Sequence, residues 1–537
     1  MMVKDVLSLL EEVCFYEWIA NLSPRLETGA HFTFEDHEYL LPLYKDEHRD
    51  IVFQKASQVC ISTYGIFDCL FRVMEYGNTA IFYQPTATHV FEFSKTRFAP
   101  IIEGNPYIRK SIEKNMIESA SARQIGKGQL FCRGLTTGLA AKSVPADMIV
   151  IDELDEVENP EIITETRERT FHSKYKIFRK YSRPSFPGYG INAFFLESDQ
   201  RFWLVKCPGC SSWRDLVHDF TEKNVDLIPG DLPICLKCGR ELTKEDVRNG
   251  LFVPKKPDIT DVRGYQISQI NAPFVDYSEI KREFVKAKKR GKQESFFRGT
   301  IGIPYIDAYK NVTVDKVMAC RADLEEPDHW KHTYVMGIDQ GDDIHGVVGF
   351  FDKEKGKNRI VDIFLLDDFE DIDAQIKRWN IGVVVIDANP NKHPARKLSE
   401  RFEGKVYLHY YNDNLKSSEF VFYTPGQQKR NQTQRANHFM AESNRVEIAD
   451  ETTEDIMSQQ VILPGKNRYI ETFAQHFENL VKQEFENAHG RIRMKYISIG
   501  ADHWRHAYHY FRVGLFKSVA SRPCRIVGGK RKPFKLI

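Results

Sequence analysis

Short apolar runs alternate with longer stretches of helical pattern through about residue 205 of the chain. The runs include "TAIFYQPT", "GQLFCRG" and "DMIVIDE", and a typical intervening stretch is "HVFEFSKTRFAPIIEGN". Strands that alternate with helices are typical of a parallel sheet whose faces are covered by the helices. The pattern therefore predicts an α/β domain at the start of the chain.

The pattern changes in the second half. A charged helical stretch, "DYSEIKREFVKAKKRGKQESFFRG", leads to "YVMGIDQGDDIHGVVGFFDKEKGKNRIVDIFLL", where turn residues separate three apolar runs. Such runs predict a meander of antiparallel strands, which we take as the beginning of a second α/β domain. The segment from Lys517 to the end holds seven Lys or Arg residues and no acid, and its composition is typical of disorder.

The composition of the chain limits the class of protein but does not indicate a function. The 537 residues are 42% hydrophobic and 12% aromatic, enough for two or three globular domains, and the net charge is only +1. Any affinity for nucleic acid must therefore come from local basic patches. No apolar run reaches the roughly 18 residues that span a bilayer, and "MMVKDVLSLLEEVCFYEWIA" resembles an amphipathic helix more than a signal peptide. We expect a cytosolic protein without membrane contact.

Four of the ten cysteines have a regular spacing. They are Cys207 and Cys210 in "CPGC" and Cys235 and Cys238 in "CLKCG". Two such pairs supply the four thiolates of a closed tetrahedral shell, which is typical of structural zinc and leaves no position for a catalytic water. A redox pair or a chance spacing is the alternative.

The first domain carries two candidate segments for nucleotide chemistry. "FQKASQVCIST", from Phe53 to Thr63, lies where a phosphate-binding loop is expected but lacks the usual Gly-Lys pair. In "MIVIDE", Asp152 and Glu153 end an apolar strand, where they could hold Mg²⁺ and polarise the attacking water respectively. The alternative is a pair of acids that opens a surface turn. Ser182 in "YSRPSFPGYGI" lies near the end of another predicted strand. Its hydroxyl could sense the γ-phosphate, or the residue could simply belong to a turn.

Three aspartates form the candidate site of the second domain. Asp339 and Asp387 end apolar strands in "VMGIDQG" and "VVVIDANPN", and Asp502 begins a helix in "GADHWRHAYHYF". Carboxylates so placed could share two Mg²⁺ or Mn²⁺ ions for phosphodiester hydrolysis, whereas each alone could be a turn former or a helix cap. Weaker accessory residues of the same segments are Asp342, Asp343 and His503. Four residues at helical spacing are predicted to be core rather than DNA-stacking groups, namely Trp504, Ala507, Tyr508 and Phe511.

Taken in order, these motifs resemble a known family. "FQKASQVCIST", "YQPTATHVFEFSKTRFAPII", "MIVIDELDEV", "YSRPSFPGYGI" and "ESDQRFWLVKCPGC" are similar to segments of the large terminase subunits of tailed bacteriophages, particularly the lambda-like branch with an inserted zinc ribbon. The resemblance extends over roughly residues 35–515. It implies a P-loop-type parallel-sheet ATPase domain with a zinc-ribbon insert, followed by a ribonuclease H-like α/β nuclease domain.

The resemblance also implies partners and a setting. Such proteins use ATP with Mg²⁺ to move double-stranded DNA into a procapsid and cut concatemeric DNA. The implied partners are the portal protein, the procapsid and a small terminase subunit, with the chain in a homo-oligomeric ring in the host cytoplasm. A helicase-nuclease of DNA repair or recombination, and a zinc-containing nucleic-acid-binding assembly protein with a degenerate ATPase, remain as alternatives.

For the unusual loop, the resemblance implies a lysine at the beginning. Lys55 matches that placement and would reach the β- and γ-phosphates, while the amides of Ser57 to Ser62 bind phosphate oxygens and Ser62 or Thr63 contacts Mg²⁺. Cys60 occupies a position where the family usually has glycine, and a β-carbon there restricts positive φ. The implied ATP-binding set is Lys55, Ala56, Ser57, Gln58, Val59, Cys60, Ile61, Ser62, Thr63, Asp152 and Ser182. Lys142 lies where relatives often place an arginine finger, although a solvated lysine is equally expected.

These observations give a predicted domain organisation. The ranges are 1–40 for an N-terminal helical segment, 41–205 for the ATPase domain, 206–245 for the zinc ribbon, 246–328 for a linker or lid, 329–515 for the nuclease domain and 516–537 for a basic tail.

Overall fold

The computed structural model describes residues 14–112, 119–136, 144–158, 160–306, 311–323, 331–415, 420–429, 435–486 and 492–520. The contacts divide the chain into two compact units. The first is Met1–Asp307 with Phe485–Arg493, and the second is Ala308–Glu484 with Met494–Ile537.

The first unit contains a ten-stranded sheet. Its strands are β1 (Asp50–Lys55), β2 (Thr79–Gln84), β3 (Ala122–Ile125), β4 (Gly128–Gly134), β5 (Met148–Asp152), β6 (Ile177–Ser182), β7 (Arg201–Lys206), β8 (Trp213–Asp215), β9 (Leu251–Pro254) and β10 (Arg263–Ile267). The strand order is β3-β4-β2-β5-β6-β1-β10-β7-β8, with β9 also paired to β7. All neighbours from β4 to β7 are parallel, and β3, β8 and β9 pair antiparallel at the margins.

Helices cover both faces of this sheet, which explains why β1, β5 and β6 are buried along their whole length. The helices are α1 (Phe15–Leu22), α2 (Leu41–Tyr44), α3 (Ile61–Tyr76), α4 (Ala87–Phe93), α5 (Ala99–Gly104), α6 (Pro106–Lys110), α7 (Glu161–Thr166), α8 (Ile191–Leu196), α9 (Leu216–Lys223), α10 (Lys244–Arg248), α11 (Tyr277–Lys289) and α12 (Gln293–Phe296). Gly65 lets α3 lie close to β6, because a β-carbon there would be 1.9 Å from the hydroxyl oxygen of Tyr181.

The second unit contains a nine-stranded sheet and most of a separate two-stranded one. The strands are β11 (Arg321–Ala322), β12 (Tyr334–Gln340), β13 (Ile344–Asp352), β14 (Lys357–Leu366), β15 (Ile381–Asp387), β16 (Val406–Tyr411), β17 (Val421–Tyr423), β18 (Met440–Ser443), β19 (Val461–Pro464), β20 (Leu480–Glu486) and β21 (Ile492–Ser498). The helices are α13 (Val314–Met318), α14 (Phe369–Arg378), α15 (Lys392–Arg401), α16 (Arg445–Met457), α17 (Ile470–Glu478) and α18 (His503–Ala520).

The large sheet has the order β11-β19-β14-β13-β12-β15-β16-β18-β17. Strands β12 to β14 form the predicted antiparallel meander, and β15 and β16 continue the sheet parallel to β12. This arrangement of five strands is that of a ribonuclease H-like sheet. Together with the parallel sheet of the first unit, it confirms the predicted fold class.

Helix α18 packs directly on β12. A β-carbon on Gly337 would lie 2.1 Å from the carbonyl oxygen of Ala507 and 2.2 Å from the amide nitrogen of Phe511, so the glycine permits this close approach. The residues predicted to be core on α18, namely Trp504, Ala507, Tyr508 and Phe511, are all buried. The helix is therefore fixed against the strand that carries Asp339.

Two structural findings bear on the predicted boundaries. Strand β10 lies beside β1 in the centre of the first sheet, although its residues fall in the range predicted as a linker or lid. The first sheet therefore continues beyond residue 205, since β7 to β10 also belong to it.

None of the helices in the described ranges is both long and apolar enough to cross a membrane.

Candidate functional site

A tight turn joins β1 to α3 and contains the predicted loop. Gln58 and Cys60 both take left-handed backbone conformations, with φ of 56° and 61°. Such a conformation costs a non-glycine residue about 1–2 kcal/mol. Cys60 therefore adopts the positive φ that a glycine would supply, despite its β-carbon.

The amides of this turn have different partners. The Ala56 amide donates to the carbonyl oxygen of Ile267 at 2.8 Å, and the Ser57 amide donates to that of Gly299 at 2.7 Å. By contrast, the amides of Ile61, Ser62 and Thr63, in the first turn of α3, have no hydrogen-bond partner among the described residues. The free amides at a helix N-terminus attract anions. The Ser57 amide, which was predicted to bind a phosphate oxygen, is thus already engaged within the fold.

Lys55 is the last residue of β1 and is only 5% exposed. Its Nζ lies 2.9 Å from Oε1 of Glu153. Burial opposes the charge, but the carboxylates of Glu153 and Asp152 outweigh it and raise the pKa of Lys55. The structure therefore holds a charged ammonium between the turn and the end of β5.

Asp152 and Glu153 stand at the carboxyl end of β5. Asp152 accepts a hydrogen bond from Nε2 of Gln84 at 3.2 Å, and burial raises its pKa to about 6, with Lys55 opposing the shift and Glu153 adding to it. Burial also acts to raise the pKa of Glu153, but the charges of Lys55 and Arg183 lower it by more. The pKa of Glu153 therefore falls below its ordinary value. Glu153 is thus a carboxylate at neutral pH, held in a left-handed conformation with φ of 49°.

Ser182 ends β6, between β1 and β5. Its hydroxyl donates to the carbonyl oxygen of Arg183 at 3.0 Å and accepts from the amide of Asp155 at 3.2 Å. The side chain is fully buried. Its hydroxyl therefore ties the end of β6 to the turn after Glu153, and its role toward phosphate stays a prediction.

The four regularly spaced cysteines come together. The Sγ atoms of Cys207 and Cys238 are 3.7 Å apart, as are those of Cys210 and Cys235, and all four lie within 4.8 Å of one another. This donor set fits a single tetrahedral zinc ion.

Asp339 and Asp387 are neighbours at the ends of two adjacent parallel strands. Ile338 on β12 pairs with Ile386 on β15, so the next residue on each strand is an aspartate. The Tyr510 hydroxyl donates to Oδ2 of Asp387 at 2.9 Å. Burial raises the pKa of both aspartates, and the charge of Asp387 adds to the shift of Asp339.

Asp502 immediately precedes α18 and contacts a histidine of that helix. It interacts with His506 Nε2 at 3.3 Å and accepts a hydrogen bond from the Ser498 hydroxyl. Nδ1 of His503, the next residue, lies 3.0 Å from Oδ2 of Asp339. Among the described residues of the second unit, one group of three acid or histidine side chains has ligand atoms that all lie within 4.8 Å of one another, namely Asp339, His345 and His503. Asp387 and Asp502 lie outside that group, so convergence of the three acids on shared ions stays a prediction.

The first unit also matches a known protein family in sequence. Residues 38–251 match the family model described as phage terminase large subunit gpA, ATPase domain. Over these residues the chain is similar to the ATPase domain of phage terminase large subunits. The predicted resemblance to terminase large subunits is thereby confirmed.

The solved structures that this chain matches include large terminases and a terminase nuclease. The large terminase of bacteriophage HK97 has a TM-score of 0.49 and 10% identity, covering 94% of this chain and 98% of that one. The large terminase of a thermophilic bacteriophage in complex with ATP-γ-S has a TM-score of 0.28 and 10% identity over 88% and 94%. The large terminase nuclease of another thermophilic phage, G20c, with bound magnesium has a TM-score of 0.24 and 15% identity over 38% and 97%. These low scores assign no function, and no curated protein matches the sequence.

Three polar residues beside the candidate ATPase site were not predicted from the sequence. Gln84 ends β2 and contacts Asp152, and Arg183 lies 3.8 Å from Glu153 Oε2 and 2.6 Å from Glu156 Oε1. Asp155 accepts hydrogen bonds from the Ser185 amide and hydroxyl and from the Ile191 amide, at 2.5–2.8 Å.

The sequence contained a signal for two of these residues, Gln84 and Arg183. Gln84 is a polar residue at the end of an apolar strand, as Lys55 and Asp152 are, and Arg183 directly follows Ser182. Asp155 gave no comparable signal, because its partners are 30 or more residues away in sequence. Lys142, the candidate for an arginine finger, lies outside the described residues.

Proposed function

We propose that the chain is the large subunit of a viral DNA-packaging motor, which hydrolyses ATP to move double-stranded DNA into a procapsid and cuts concatemeric DNA. The observation that carries the proposal is the meeting of Lys55, Asp152 and Glu153 beside the free N-terminus of α3, within a terminase ATPase domain. This arrangement combines a cation and amides for phosphate with carboxylates for a metal ion and for water.

In the ATPase site, each residue has a distinct proposed role. Lys55 contacts the β- and γ-phosphates, and the amides at the start of α3 bind phosphate oxygens. Asp152, supported by Gln84 and beside Ser62, is the proposed ligand of the Mg²⁺ that accompanies ATP. Glu153 orients and polarises the attacking water, a role that its depressed pKa suits because the carboxylate must be ionised.

Lys55 and Glu153 hold each other in this structure. Their contact occupies Oε1 of Glu153, while Oε2 lies 3.8 Å from Nε of Arg183. We propose that phosphate competes with Glu153 for the Lys55 ammonium. Hydrolysis would then be coupled to nucleotide binding, since Oε1 of Glu153 is released from Lys55 only as Lys55 moves to phosphate.

In the second unit, Asp339, Asp387 and Asp502 are the proposed residues that hold divalent cations. Carboxylates are suitable donors for Mg²⁺ and Mn²⁺, and the buried Asp339 lies beside the half-buried Asp387. The ions would supply an activated water and stabilise the leaving oxygen of a phosphodiester. Because this chemistry addresses the backbone, we expect cutting with little sequence preference from these acids.

Cys207, Cys210, Cys235 and Cys238 are proposed to bind one structural Zn²⁺, which would cross-link the end of β7 to the segment around residues 235–238. The remaining partners follow from the terminase family. We propose a portal protein, a procapsid and a small terminase subunit, with the chain in a homo-oligomeric ring in the host cytoplasm.

The test is a separation of the two activities in the full chain. Glu153→Gln should retain ATP binding and lose turnover, because it keeps the shape and removes the carboxylate. Asp387→Asn should lose plasmid cleavage in Mg²⁺ or Mn²⁺ and keep ATP turnover, because Asp387 belongs to the other unit.

The outcomes also discriminate the alternatives. Parental ATP turnover in Glu153→Gln would refute the ATPase assignment, and parental cleavage in Asp387→Asn would refute the nuclease assignment. ATP-dependent strand separation by the parent would favour a helicase-nuclease, and absence of ATP binding would favour a structural assembly protein.

A further inference from the structure

Helix α11 of the first unit has two different faces. Its inner face is apolar and buried, through Tyr277, Ile280 and Phe284. The centroid of the Phe284 ring lies 5.7 Å from that of Phe220 and 5.9 Å from that of Phe297. The helix is therefore fixed on the core of the first unit, and side chains on its outer face project from a rigid base.

The outer face of α11 is strongly basic. Residues 281–292 contain seven Lys or Arg and a single acid, Glu283, in a chain whose net charge is only +1, so the remainder of the chain is negative on balance. A shallow groove on this face is lined by Val285 and by five cations, which we call the basic face, namely Lys281, Arg282, Lys286, Lys289 and Arg290. Lys281 is half-buried and the other four are exposed.

Few of these charges are neutralised within the protein. Arg282 lies 3.6 Å from Oδ2 of Asp276, and Lys281 donates to the carbonyl oxygen of Pro229 at 3.1 Å. The other three side chains have no ion-pair or hydrogen-bond partner among the described residues, namely Lys286, Lys289 and Arg290. Cations at i, i+3 and i, i+4 spacing repel one another on a helix, and an external anion would relieve that repulsion.

The helix dipole accounts for part of this pattern. It favours cations in the last turn of a helix, where Lys286 and Lys289 lie. Its effect does not extend to Lys281 and Arg282, which lie in earlier turns. The basic face is therefore longer than stabilisation of the helix end requires.

The length and composition of the basic face favour double-stranded DNA as its partner. From Lys281 to Arg290 the helix advances about 14 Å, and one strand of a duplex presents about four phosphates over that length. Lys and Arg are the side chains that contact phosphates, and such contacts carry no sequence information. Proteins that bind single strands also stack bases on aromatic side chains, whereas Tyr277 and Phe284 of α11 are buried.

We infer that the basic face of α11 binds the phosphate backbone of double-stranded DNA without sequence preference. The inference rests on the proposed motor function, which it deepens by assigning a DNA-contacting surface to the unit that holds the ATPase site. The same helix packs against Phe297, two residues before Gly299, whose carbonyl oxygen accepts the Ser57 amide of the turn after β1. The basic face is thus connected to the ATPase turn through packed residues.

The test is the binding of a short fluorescent duplex of arbitrary sequence to the full-length protein. ATP, Mg²⁺ and Mn²⁺ are omitted so that the DNA is neither moved nor cut, and anisotropy gives the affinity between about 50 and 200 mM KCl. The neutral α11 variant combines three exposed changes, namely Lys286→Gln, Lys289→Gln and Arg290→Gln. It should bind at least about tenfold more weakly at about 100 mM KCl, and the slope of log affinity against log salt should fall by about 2–3.

Two matched variants separate a local contact from overall charge and from misfolding. The first removes three exposed cations of the same unit outside α11, namely Lys127→Gln, Lys174→Gln and Lys255→Gln. It should bind within about twofold of the parent, because distant surface charges are screened at this salt concentration. The second keeps the charge of the basic face, through Lys286→Arg, Lys289→Arg and Arg290→Lys, and should bind as the parent does.

The inference is overturned if the neutral α11 variant binds the duplex as the parent does, or if the variant outside α11 loses as much affinity. Unchanged DNA binding with a loss of oligomers, measured by analytical ultracentrifugation, would assign the basic face to a second copy of the chain instead. In these cases a parent that binds the duplex leaves the motor proposal intact. A parent that fails to bind the duplex at about 50 mM KCl would overturn both the inference and the motor proposal.

Discussion

Replacement of Lys55 by Met is the sharpest single perturbation of the ATPase site. Met keeps most of the length of the side chain and removes the ammonium that lies 2.9 Å from Glu153. A hydrogen bond to a charged group contributes about 1.5–3 kcal/mol, which corresponds to about 10- to 150-fold in affinity. We therefore expect Lys55→Met to weaken ATP binding by a factor in that range, as measured by titration with a fluorescent ATP analogue, and to reduce turnover.

A loss of affinity must be separated from a loss of stability. Lys180, on the neighbouring strand β6, is also a buried, paired lysine, with Nζ 2.6 Å from Oδ1 of Asp50. Lys180→Met breaks a more buried ion pair than Lys55→Met does, because Glu153 is 28% exposed and Asp50 only 5%. Loss of one partner of a buried pair costs about 3–5 kcal/mol, so Lys180→Met should lower the melting temperature more.

The two variants should therefore diverge. Below both melting transitions, Lys180→Met should bind the analogue as the parent does, since Asp50 and Lys180 lie away from the turn that follows Lys55. The reasoning is refuted if the affinity of Lys55→Met for the analogue is within about threefold of the parent's affinity. The loss of one charge-assisted hydrogen bond should reduce the affinity by more than that. It is also refuted if Lys180→Met loses as much affinity as Lys55→Met.

Two other predictions concern structure. Gly337→Ala should destabilise the chain by about 1–3 kcal/mol or more and reduce plasmid cleavage, because the added carbon meets backbone atoms of α18 that cannot turn aside. Gly341→Ala is its control, with the nearest atom 3.7 Å from the added carbon, and equal melting temperatures for the two variants would contradict this account. Elemental analysis should find about one zinc per chain, lost in Cys207→Ser and kept in Cys14→Ser. A fully folded parent without zinc would contradict the proposed site.

The chemistry that lies at strand ends could be predicted because it has a local signal. Asp152, Asp339 and Asp387 each follow a continuous apolar run, and the carboxyl ends of such strands are where ligands collect in α/β sheets. The regular spacing of the cysteines is likewise a local pattern. In these cases the residues next to a side chain in the sequence are enough to predict where in the fold it lies.

Features that depend on long-range pairing could not be predicted. The Ala56 and Ser57 amides are engaged by Ile267 and Gly299, more than 200 residues away, and nothing near the loop signals these contacts. The register of β12 against β13 brings His345 opposite Asp339, and one residue of slippage would place it on the other face.

The backbone of the loop shows a different limit of prediction from the sequence. The β-carbon of Cys60 argued against positive φ, yet the residue takes φ of 61°. A penalty of about 1–2 kcal/mol is small beside the packing that fixes both ends of the turn. Local preference is therefore a weak guide where strand and helix are held on either side.

The most direct test of the proposed motor is DNA packaging itself. Purified full-length protein is combined with ATP, linear double-stranded DNA, the small subunit and procapsids that carry the portal, and the DNA protected from added nuclease is measured. The parent should yield protected DNA only when ATP is present, and Glu153→Gln should yield none, although it binds ATP. Equal protection by Glu153→Gln, or ATP-dependent strand separation by the parent without any protected DNA, would contradict the proposed function.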